Sequence, residues 1–288
     1  MSELLLHNPE GRPPLYQPIS LELGAGEIDE VMELYLDFLQ LPEHERERIA
    51  FLDESYARTG ESGYKYKDGN GVEDEKHLFH MAHGLMDKFN VFERTNLPME
   101  SRAFLEAADE IYHSVTASTK EFYRGLEAEE FPGLVGIHFP RNGVVRNKLR
   151  FLAYRGAKDG LLARGHYDKG TGTVAVAESH SGLRLGLGEH DLTLLDRDQY
   201  DPVFFHGYGW HQLAEMMDVE TYRKAAWHDV VDTGESFDED DGVLRWALIY
   251  FVDPAKVYLH STKEQTHTPI DWRGHRAPQS LQPHSFLN

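Results

Sequence analysis

The sequence predicts a mainly β protein with a helical N-terminal part. Apolar residues recur at helical spacing through the first 130 residues, and short β-type runs separated by turn signals follow Pro132. No low-complexity linker divides these two parts. Short strands at such spacing are typical of a sandwich or barrel, so we expect a jelly-roll core flanked by α-helices.

Two helices account for the N-terminal prediction. The first carries an apolar stripe from Ile28 to Phe38 and should end at Leu41, because a residue that precedes proline disfavours the helical conformation. The second should run from about Met99 to Gly125. Between them, residues 56–84 are rich in Gly, Tyr and Lys, which predicts a loop or a short hairpin near an opening.

The β-type runs define the expected core. They occupy residues 149–154, 173–178, 182–187, 192–195, 202–210, 225–232 and 245–253. We therefore expect one compact unit with three parts. Residues 1–130 form a helical region that packs on the core, residues 131–262 form the jelly-roll core, and residues 263–288 form a C-terminal tail.

Composition excludes several function classes. The chain has 288 residues, 49 of them acidic and 29 basic, for a formal net charge of −20. Such a field repels nucleic acid and anionic membranes, so we expect neither as a partner and expect a neutral or cationic small molecule instead. No run approaches the roughly 18 apolar residues of a membrane span, and the N-terminus lacks a signal-type segment, which predicts a cytoplasmic protein.

The chain contains no cysteine. This excludes disulfides, cysteine-ligated zinc, iron–sulfur clusters and thiol nucleophiles, so any metal must be held by imidazole and carboxylate. The glycine-rich "HYDKGTGT" lacks the Gly-Lys-Ser/Thr ending of a phosphate-binding loop, and no Gly-x-Ser-x-Gly element suggests a hydrolase.

The stretch "GHYDKG" offers the first two candidate metal ligands. If it is extended, His166 and Asp168 project to the same side about 6–7 Å apart, while Tyr167 between them has no assigned role. Two histidines and one carboxylate on one face of an ion form the facial triad of non-haem Fe(II) oxygenases. The candidates for the third ligand are His206, His211 and His228, of which His228 lies in the β-type run "AAWHDVV".

Arg245 opens the otherwise apolar strand "RWALIYFVDP". A buried guanidinium requires an anionic partner, and its planar fork matches a carboxylate. If this strand lines the same cavity as the histidines, Arg245 can receive the far carboxylate of a dicarboxylic cosubstrate. The alternative is an arginine that faces solvent at the start of a strand.

Several segments together resemble the Fe(II)/2-oxoglutarate oxygenases of the isopenicillin N synthase-like family. The similar segments are "LRFLAYRG", "LLARGHYDKGTGTVAVAESHSGLRL", "YRKAAWHDVVD" and "RWALIYFVDP", together with "YLDFLQLPEHERERI" and "SGYKYKDGNGVEDEKHLFHM" in the N-terminal part. The resemblance covers roughly residues 30 to 260. It implies a double-stranded β-helix of the jelly-roll, cupin-like type.

The resemblance also implies roles for single residues. By it, His166, Asp168 and His228 are the iron ligands, Arg245 binds the C5 carboxylate of 2-oxoglutarate, and Tyr154 donates a hydrogen bond to that cosubstrate. The implied reaction uses Fe(II), 2-oxoglutarate and O2 to oxidise a C–H bond of a small-molecule metabolite, with hydroxylation as the first expectation and succinate and CO2 as coproducts. Halogenating members of the family carry a small residue at the position of Asp168, so its carboxylate indicates oxygenation.

The chain departs from the family pattern at four points. Arg155 replaces a proline, Leu152 replaces a frequent asparagine, and Ala247 stands where a serine assists the cosubstrate carboxylate. The 17-residue step from His228 to Arg245 is longer than usual, and we interpret its acidic stretch "DTGESFDEDDG" as a surface insertion.

Three residues near the expected opening are candidates for substrate contact: Tyr64, Phe79 and His80. His77, His80 and His83 form a second, weaker metal-site candidate. Two alternatives to hydroxylation stay open. One is an oxidative cyclase or desaturase of the same family, and the other is a non-catalytic jelly-roll protein that binds a metal or small ligand.

Overall fold

The computed structural model describes residues 14–50, 62–69, 75–89, 94–130, 132–141, 145–238, 242–255, 258–260 and 267–269. Most of the predicted C-terminal tail, residues 263–288, lies outside these ranges. The helices are α1 Ala25–Gln40, α2 Glu43–Arg46, α3 Met99–Glu129, α4 Leu134–His138 and α5 Gly209–Met216, with 3-10 turns at Glu47–Ile49 and Met86–Lys88.

The strands follow the same chain order. They are β1 Tyr16–Pro18, β2 Gly63–Lys67, β3 Lys76–Ala82, β4 Lys148–Tyr154, β5 Leu161–Tyr167, β6 Gly172–Glu178, β7 Leu183–Gly186, β8 Thr193–Leu194, β9 Val203–His206, β10 Trp227–Val231, β11 Arg245–Val252, β12 Tyr258–His260 and β13 His267–Pro269.

Two antiparallel sheets face each other and form a jelly roll. The larger sheet has the order β1-β9-β6-β11-β4-β3-β2, and the smaller has the order β5-β10-β7-β8. From β4 to β11 the chain passes back and forth between the two sheets, which is the winding of a double-stranded β-helix. β12 and β13 form a separate pair. The predicted fold class is confirmed.

The helical layer covers the outer face of the larger sheet. The ring of Phe104 on α3 lies 5.1 Å from that of Tyr35 on α1 and 5.2 Å from that of Phe151 on β4, measured between centroids. All three side chains are buried. Each such aromatic side chain contributes about 1.5–3 kcal/mol by leaving water. This contact fixes α1 and α3 on the barrel.

A capping hydrogen bond and a proline explain where α1 begins and ends. Glu27 accepts a hydrogen bond from the backbone N–H of Gly24 at 2.7 Å, which caps the helix start. The helix ends before Leu41-Pro42, as predicted. Its buried residues follow the predicted apolar stripe and also include Met32 and Leu39.

One segment differs from the prediction, and a second adopts one of its two predicted alternatives. The run 202–210 was expected to be one strand, but β9 ends at His206 and α5 begins at Gly209. The stretch around residues 63–82 is a hairpin, as one of the two expectations had it, and β2 and β3 also extend the larger sheet through β4. The first 130 residues therefore contribute three strands to the β core. Within the described residues, no helix is long and apolar enough to cross a membrane.

Candidate metal centre

Strand pairing brings His166 and His228 together. His166 lies near the end of β5 and His228 near the start of β10, and they are directly opposite each other in the antiparallel register. Their ring centroids are 4.3 Å apart. Asp168 follows two residues after His166, where the chain leaves β5 towards β6.

The three side chains converge on one point. Nε2 of His166 lies 3.6 Å from Oδ1 of Asp168, and Nε2 of His228 lies 3.6 Å from Oδ2 of the same carboxylate. One ligand atom from each residue lies within 4.8 Å of the others. Two imidazole nitrogens and a carboxylate are a donor set that suits Fe(II), with the remaining coordination positions open. We call these three residues the metal triad.

The backbone sets the orientation of both imidazole rings. Nδ1 of His166 lies 2.7 Å from the carbonyl oxygen of Arg164, and Nδ1 of His228 lies 3.3 Å from that of Ala226. A carbonyl can only accept, so each Nδ1 carries the proton and each Nε2 presents its lone pair to the common point. Both rings are therefore ready to bind a cation.

Asp168 is held in its ionised form. Burial raises the pKa of Asp168, but His228, His166 and a 2.6 Å hydrogen bond donated by the Thr173 hydroxyl outweigh burial and bring that pKa well below its usual range. Burial lowers the pKa of His228, which keeps its imidazole neutral. A carboxylate beside a neutral imidazole is the state in which these groups bind a metal.

Two close backbone contacts fix the segment that follows Asp168. The N–H of Tyr208 donates to the carbonyl of Asp168 at 2.8 Å, and the N–H of Gly209 donates to that of Gly170 at 3.0 Å. A Cβ atom at Gly207 would lie 2.3 Å from the oxygen of Gly170, and one at Gly209 would lie 2.7 Å from the oxygen of Lys169. Only glycine fits at these positions.

The triad opens into a large cleft. A cavity of about 700 Å³ lies between the two sheets, and a second of about 460 Å³ adjoins it on the outer side. The two share six lining residues: His80, Arg150, His166, Asp168, Lys169 and Phe251. The inner walls are apolar and include Leu152, Ala175 and Val230. A cleft of this size accommodates a small molecule.

Charge in the cleft differs from the charge of the chain. Six of the described residues that line the larger cavity are basic, and only Asp168 is acidic. This lining does not support the expectation of a neutral or cationic substrate. The expectation was based on the net charge of −20, which does not describe the cleft. Among the described residues, most acidic side chains lie outside it.

Of the two residues expected to bind the cosubstrate, only Tyr154 lines the cavity. Tyr154 lines the larger cavity, at the opposite end of β4 from the triad. Arg245 pairs with Tyr154 in the sheet register, and its guanidinium carbon lies 5.8 Å from the centroid of the Tyr154 ring. Arg245 is 1% exposed, is not among the residues that line the cavity, and donates to Glu178 and to the carbonyl of His180.

Glu178 binds two arginines. Besides Arg245, Nε of Arg197 lies 3.2 Å from Oε1 of the same carboxylate, and all three side chains are at least 96% buried. We call Glu178, Arg197 and Arg245 the arginine cluster. Two guanidinium groups against one carboxylate leave a formal charge of +1 at the inner end of the barrel.

Of the three expected substrate contacts, only His80 lines the cleft. Tyr64 and Phe79 lie on the opposite face of the same sheet, buried against the helical layer, and the Tyr64 hydroxyl is 2.8 Å from Nδ1 of His77. Alternation along a strand explains the difference, since Phe79 and His80 are neighbours and must face opposite sides.

The other histidine candidates lie apart from the triad. His206 is buried between Phe204 and Trp210, and His211 on α5 accepts a hydrogen bond from the backbone of Ala225. His77 and His80 lie on opposite faces of β3, which separates the members of the weaker metal candidate.

Sequence reasoning missed two residues at this site. Thr173, which orients Asp168, carried a usable signal, since it is a polar residue at the start of the apolar strand "TVAVAE". Arg150, which lines both cavities, lies in the run "LRFLAY" and alternates with the buried Leu149 and Phe151.

Structural comparison gives the fold a context. No family profile and no curated protein sequence matches the chain. The structure is similar to Neurospora crassa T7H in complex with alpha-KG and 5-formyluracil, with a TM-score of 0.60 and 15% identity over 88% of this chain and 81% of T7H. It is also similar to JOX2 in complex with 2OG, Fe and JA, with a TM-score of 0.60 and 15% identity over 90% and 75% of the two chains.

A third similar structure is a 2OG-Fe(II) oxygenase family protein from Caulobacter crescentus, with a TM-score of 0.60 and 19% identity over 84% of this chain and 78% of that one. At these identities the likeness shows the fold, which this chain shares with Fe(II)/2-oxoglutarate oxygenases. The finer resemblance to the isopenicillin N synthase-like family stays a prediction.

Proposed function

We propose that this protein is an Fe(II)- and 2-oxoglutarate-dependent oxygenase that hydroxylates a small molecule. In the proposed reaction 2-oxoglutarate, O2 and a substrate R–H give succinate, CO2 and R–OH. The observation that carries the proposal is the metal triad itself, in which two Nε2 lone pairs and one ionised carboxylate converge beside a cleft.

The donor set fits a ferrous ion. His166, Asp168 and His228 would hold the ion from one side. The cleft would let the cosubstrate and O2 reach its opposite side. A ferrous ion there would supply the activation of O2 that is coupled to the decarboxylation of 2-oxoglutarate. Thr173 fixes the carboxylate, and the two backbone carbonyls fix the histidine tautomers, so the protein's part is to preorganise the ligands.

The inner end of the barrel suits the distal carboxylate of 2-oxoglutarate. The arginine cluster carries a formal excess positive charge, and Tyr154 lies between this cluster and the cavity. We assign Tyr154 as the hydrogen-bond donor to that carboxylate, with Arg245 acting mainly through its charge because its Nε and Nη2 already donate to other groups. This role compensates for the absence of a serine at Ala247.

Two other functions compete with hydroxylation. A cyclase or desaturase would use the same ligands and differ only in the fate of the substrate, so product analysis separates it from a hydroxylase. A non-catalytic binding protein is disfavoured because the open face of the triad meets a substrate-sized cleft.

Metal binding and cosubstrate turnover test the proposal. Purified protein should bind Fe(II) anaerobically and release succinate from 2-oxoglutarate when O2 is admitted. His166→Ala, Asp168→Ala and His228→Ala should each weaken Fe(II) binding by on the order of 100-fold or more, since even the loss of an outer partner costs 10–100-fold. His113→Ala serves as the control, because His113 is exposed on α3.

The outcomes separate the alternatives. Fe(II) binding without succinate formation, with or without added candidate substrates, would support the binding protein instead. Unchanged Fe(II) affinity in His228→Ala would contradict the assigned ligand set, and a loss in His211→Ala would move the third ligand to α5.

A further inference from the structure

We propose that the substrate of this oxygenase is a small organic acid whose carboxylate is bound by Arg150. This inference rests on the proposed function and adds the substrate class, which nothing in that function specifies. It replaces the neutral or cationic substrate expected from the net charge.

Arg150 is directed into the cleft by its place in the larger sheet. It lies on β4, opposite His80 on β3 and Ile249 on β11, and all three residues line the larger cavity. Arg150 also lines the outer cavity together with Lys148 and Arg146. The guanidinium therefore lies where the two cavities meet.

Two neighbours fix the orientation of this guanidinium. Its Nε donates to Nε2 of His80 at 2.6 Å, and its central carbon lies 4.4 Å from the centroid of the Phe251 ring. Stacking on an aromatic face and a hydrogen bond at Nε hold the plane of the group, and a planar guanidinium matches the two oxygens of a carboxylate. A guanidinium preorganised in this way loses little entropy when it binds an anion.

The same neighbours place Arg150 close to the metal triad. Phe251 is the register partner of Thr173, whose hydroxyl binds Asp168. Arg150, Phe251, His166 and Asp168 all line both cavities. An acid held by Arg150 would thus lie in the same chamber as the reacting centre, which is the requirement for presenting a C–H bond to it.

The charges of the described residues that line the cleft favour an anionic ligand. Among the described residues, the two cavities are lined by eight of the chain's 29 basic residues but by only two of its 49 acidic residues. One of those two, Asp168, belongs to the metal triad, and the other is Asp253. In a chain with a net charge of −20 this excess is local, and it attracts anions into the cleft.

Matched pairs of acids and amides test the substrate class. The probes are phenylacetate with phenylacetamide, cinnamate with cinnamamide, and hexanoate with hexanamide. Their binding is measured by calorimetry on protein loaded with Fe(II) and 2-oxoglutarate without O2, so that no turnover occurs. At least one acid should bind 10-fold or more tightly than its amide, and Arg150→Gln should abolish that preference by weakening the acid about 10- to 100-fold.

Two further variants make the result specific. Arg124→Gln, on the exposed face of α3, should leave the preference unchanged, and Arg150→Lys should retain part of it because it keeps the charge and loses the fork. Equal binding of acids and amides, or no binding of any acid, would overturn the proposal. If Arg150→Gln lost as much affinity for 2-oxoglutarate as for the acid, Arg150 would be assigned to the cosubstrate. That result would also overturn the proposal.

These results are distinct from a failure of the proposed function. If wild-type protein does not bind Fe(II) or form succinate, the oxygenase assignment fails whatever the acids do. If it does both and prefers amides, only the substrate class is wrong.

Discussion

Two buried polar clusters lie at opposite ends of the same barrel, and they differ in how their charges are satisfied. In the arginine cluster, one carboxylate binds two guanidinium groups, and all three side chains are almost fully buried. In the metal triad, one carboxylate lies 3.6 Å from a nitrogen of each of two imidazole rings, and the side chain of His166 is 50% exposed to the cleft.

β6 connects the two clusters. Thr173 near its start supports Asp168, and Glu178 at its end binds both arginines. In the arginine cluster the charged groups satisfy one another, so it serves stability first, whereas the metal triad directs two lone pairs and a carboxylate at one common point and suits binding. One end of β6 therefore supports the metal triad, and its other end belongs to the arginine cluster.

The largest expected effect is a difference in the stability lost when each cluster loses its carboxylate. Glu178→Ala leaves two arginines buried without their carboxylate, which should lower the free energy of unfolding by about 3–5 kcal/mol. Asp168→Ala should cost far less stability, because the histidines it leaves can remain neutral. Chemical denaturation of the metal-free variants measures both.

Glu178→Gln provides a milder variant in case Glu178→Ala does not fold, and Glu121→Ala on the exposed surface of α3 is the control. Fe(II) affinity should be retained in Glu178→Gln and lost in Asp168→Ala. A greater loss of stability in Asp168→Ala than in Glu178→Ala would reverse the assignment of the two ends.

A pair of neighbouring threonines sharpens the contrast within one strand region. Thr173→Val removes the hydrogen bond to Asp168 and should weaken Fe(II) binding about 10- to 100-fold, and it should also cost about 1–3 kcal/mol of stability. Thr171 instead lies 2.7 Å from Nε2 of His138 and donates to the carbonyl of Val252 at 2.9 Å. Thr171→Val should therefore cost about 1–3 kcal/mol of stability and leave Fe(II) affinity unchanged. Similar metal affinities in the two variants would mean that Thr173 does not orient the ligand.

The smallest effect concerns pH and a histidine outside both clusters. Burial lowers the pKa of His206 to about 3, and neither of its ring nitrogens has a hydrogen-bond partner among the described residues. The unfolded chain takes up a proton at this residue below pH 6.5, so its contribution to stability is present above that pH and is lost as the pH falls towards 3. Between pH 7 and 5, His206→Phe should reduce the fall in unfolding free energy by about 2 kcal/mol.

Denaturation of metal-free protein at both pH values measures this effect. Burial also lowers the pKa of His138 to about 4 and that of His77 to about 3, so the variant should retain part of the wild-type fall. An identical fall in wild type and His206→Phe would show that His206 is not held neutral.

The sequence predicted those features that depend on local pattern. Apolar periodicity gave α1 and α3, and alternation with turn signals gave β4 and the strands β6 to β11, whereas β5, β12 and β13 lie outside the predicted runs. The spacing of His166 and Asp168 predicted that they share a side, and the antiparallel pairing of β5 with β10 brings His228 next to them. Its use as the third ligand stays a prediction.

Other features depend on tertiary pairing and could not be predicted. Glu178 and Arg245 are 67 residues apart, and only the adjacency of β6 and β11 brings them together. Phe79 and His80 were both assigned to the substrate because the stretch was predicted only as a loop or a short hairpin, without strand bounds that place the two residues on opposite sides. Net charge also gave no indication that basic residues would gather in the cleft.

The glycines that press against the segment after Asp168 also bear on how this protein can change. Because Gly207 and Gly209 leave no room for a Cβ atom, the backbone that carries Asp168, the carboxylate proposed as a metal ligand, is fixed without a bound ion. Substitution at these positions should be nearly intolerable, whereas the outer lining of the cleft, at Lys148 and Gln212, is open to variation. A library that aims to redirect this protein to new substrates should therefore randomise the cleft and keep the Gly-Tyr-Gly turn intact.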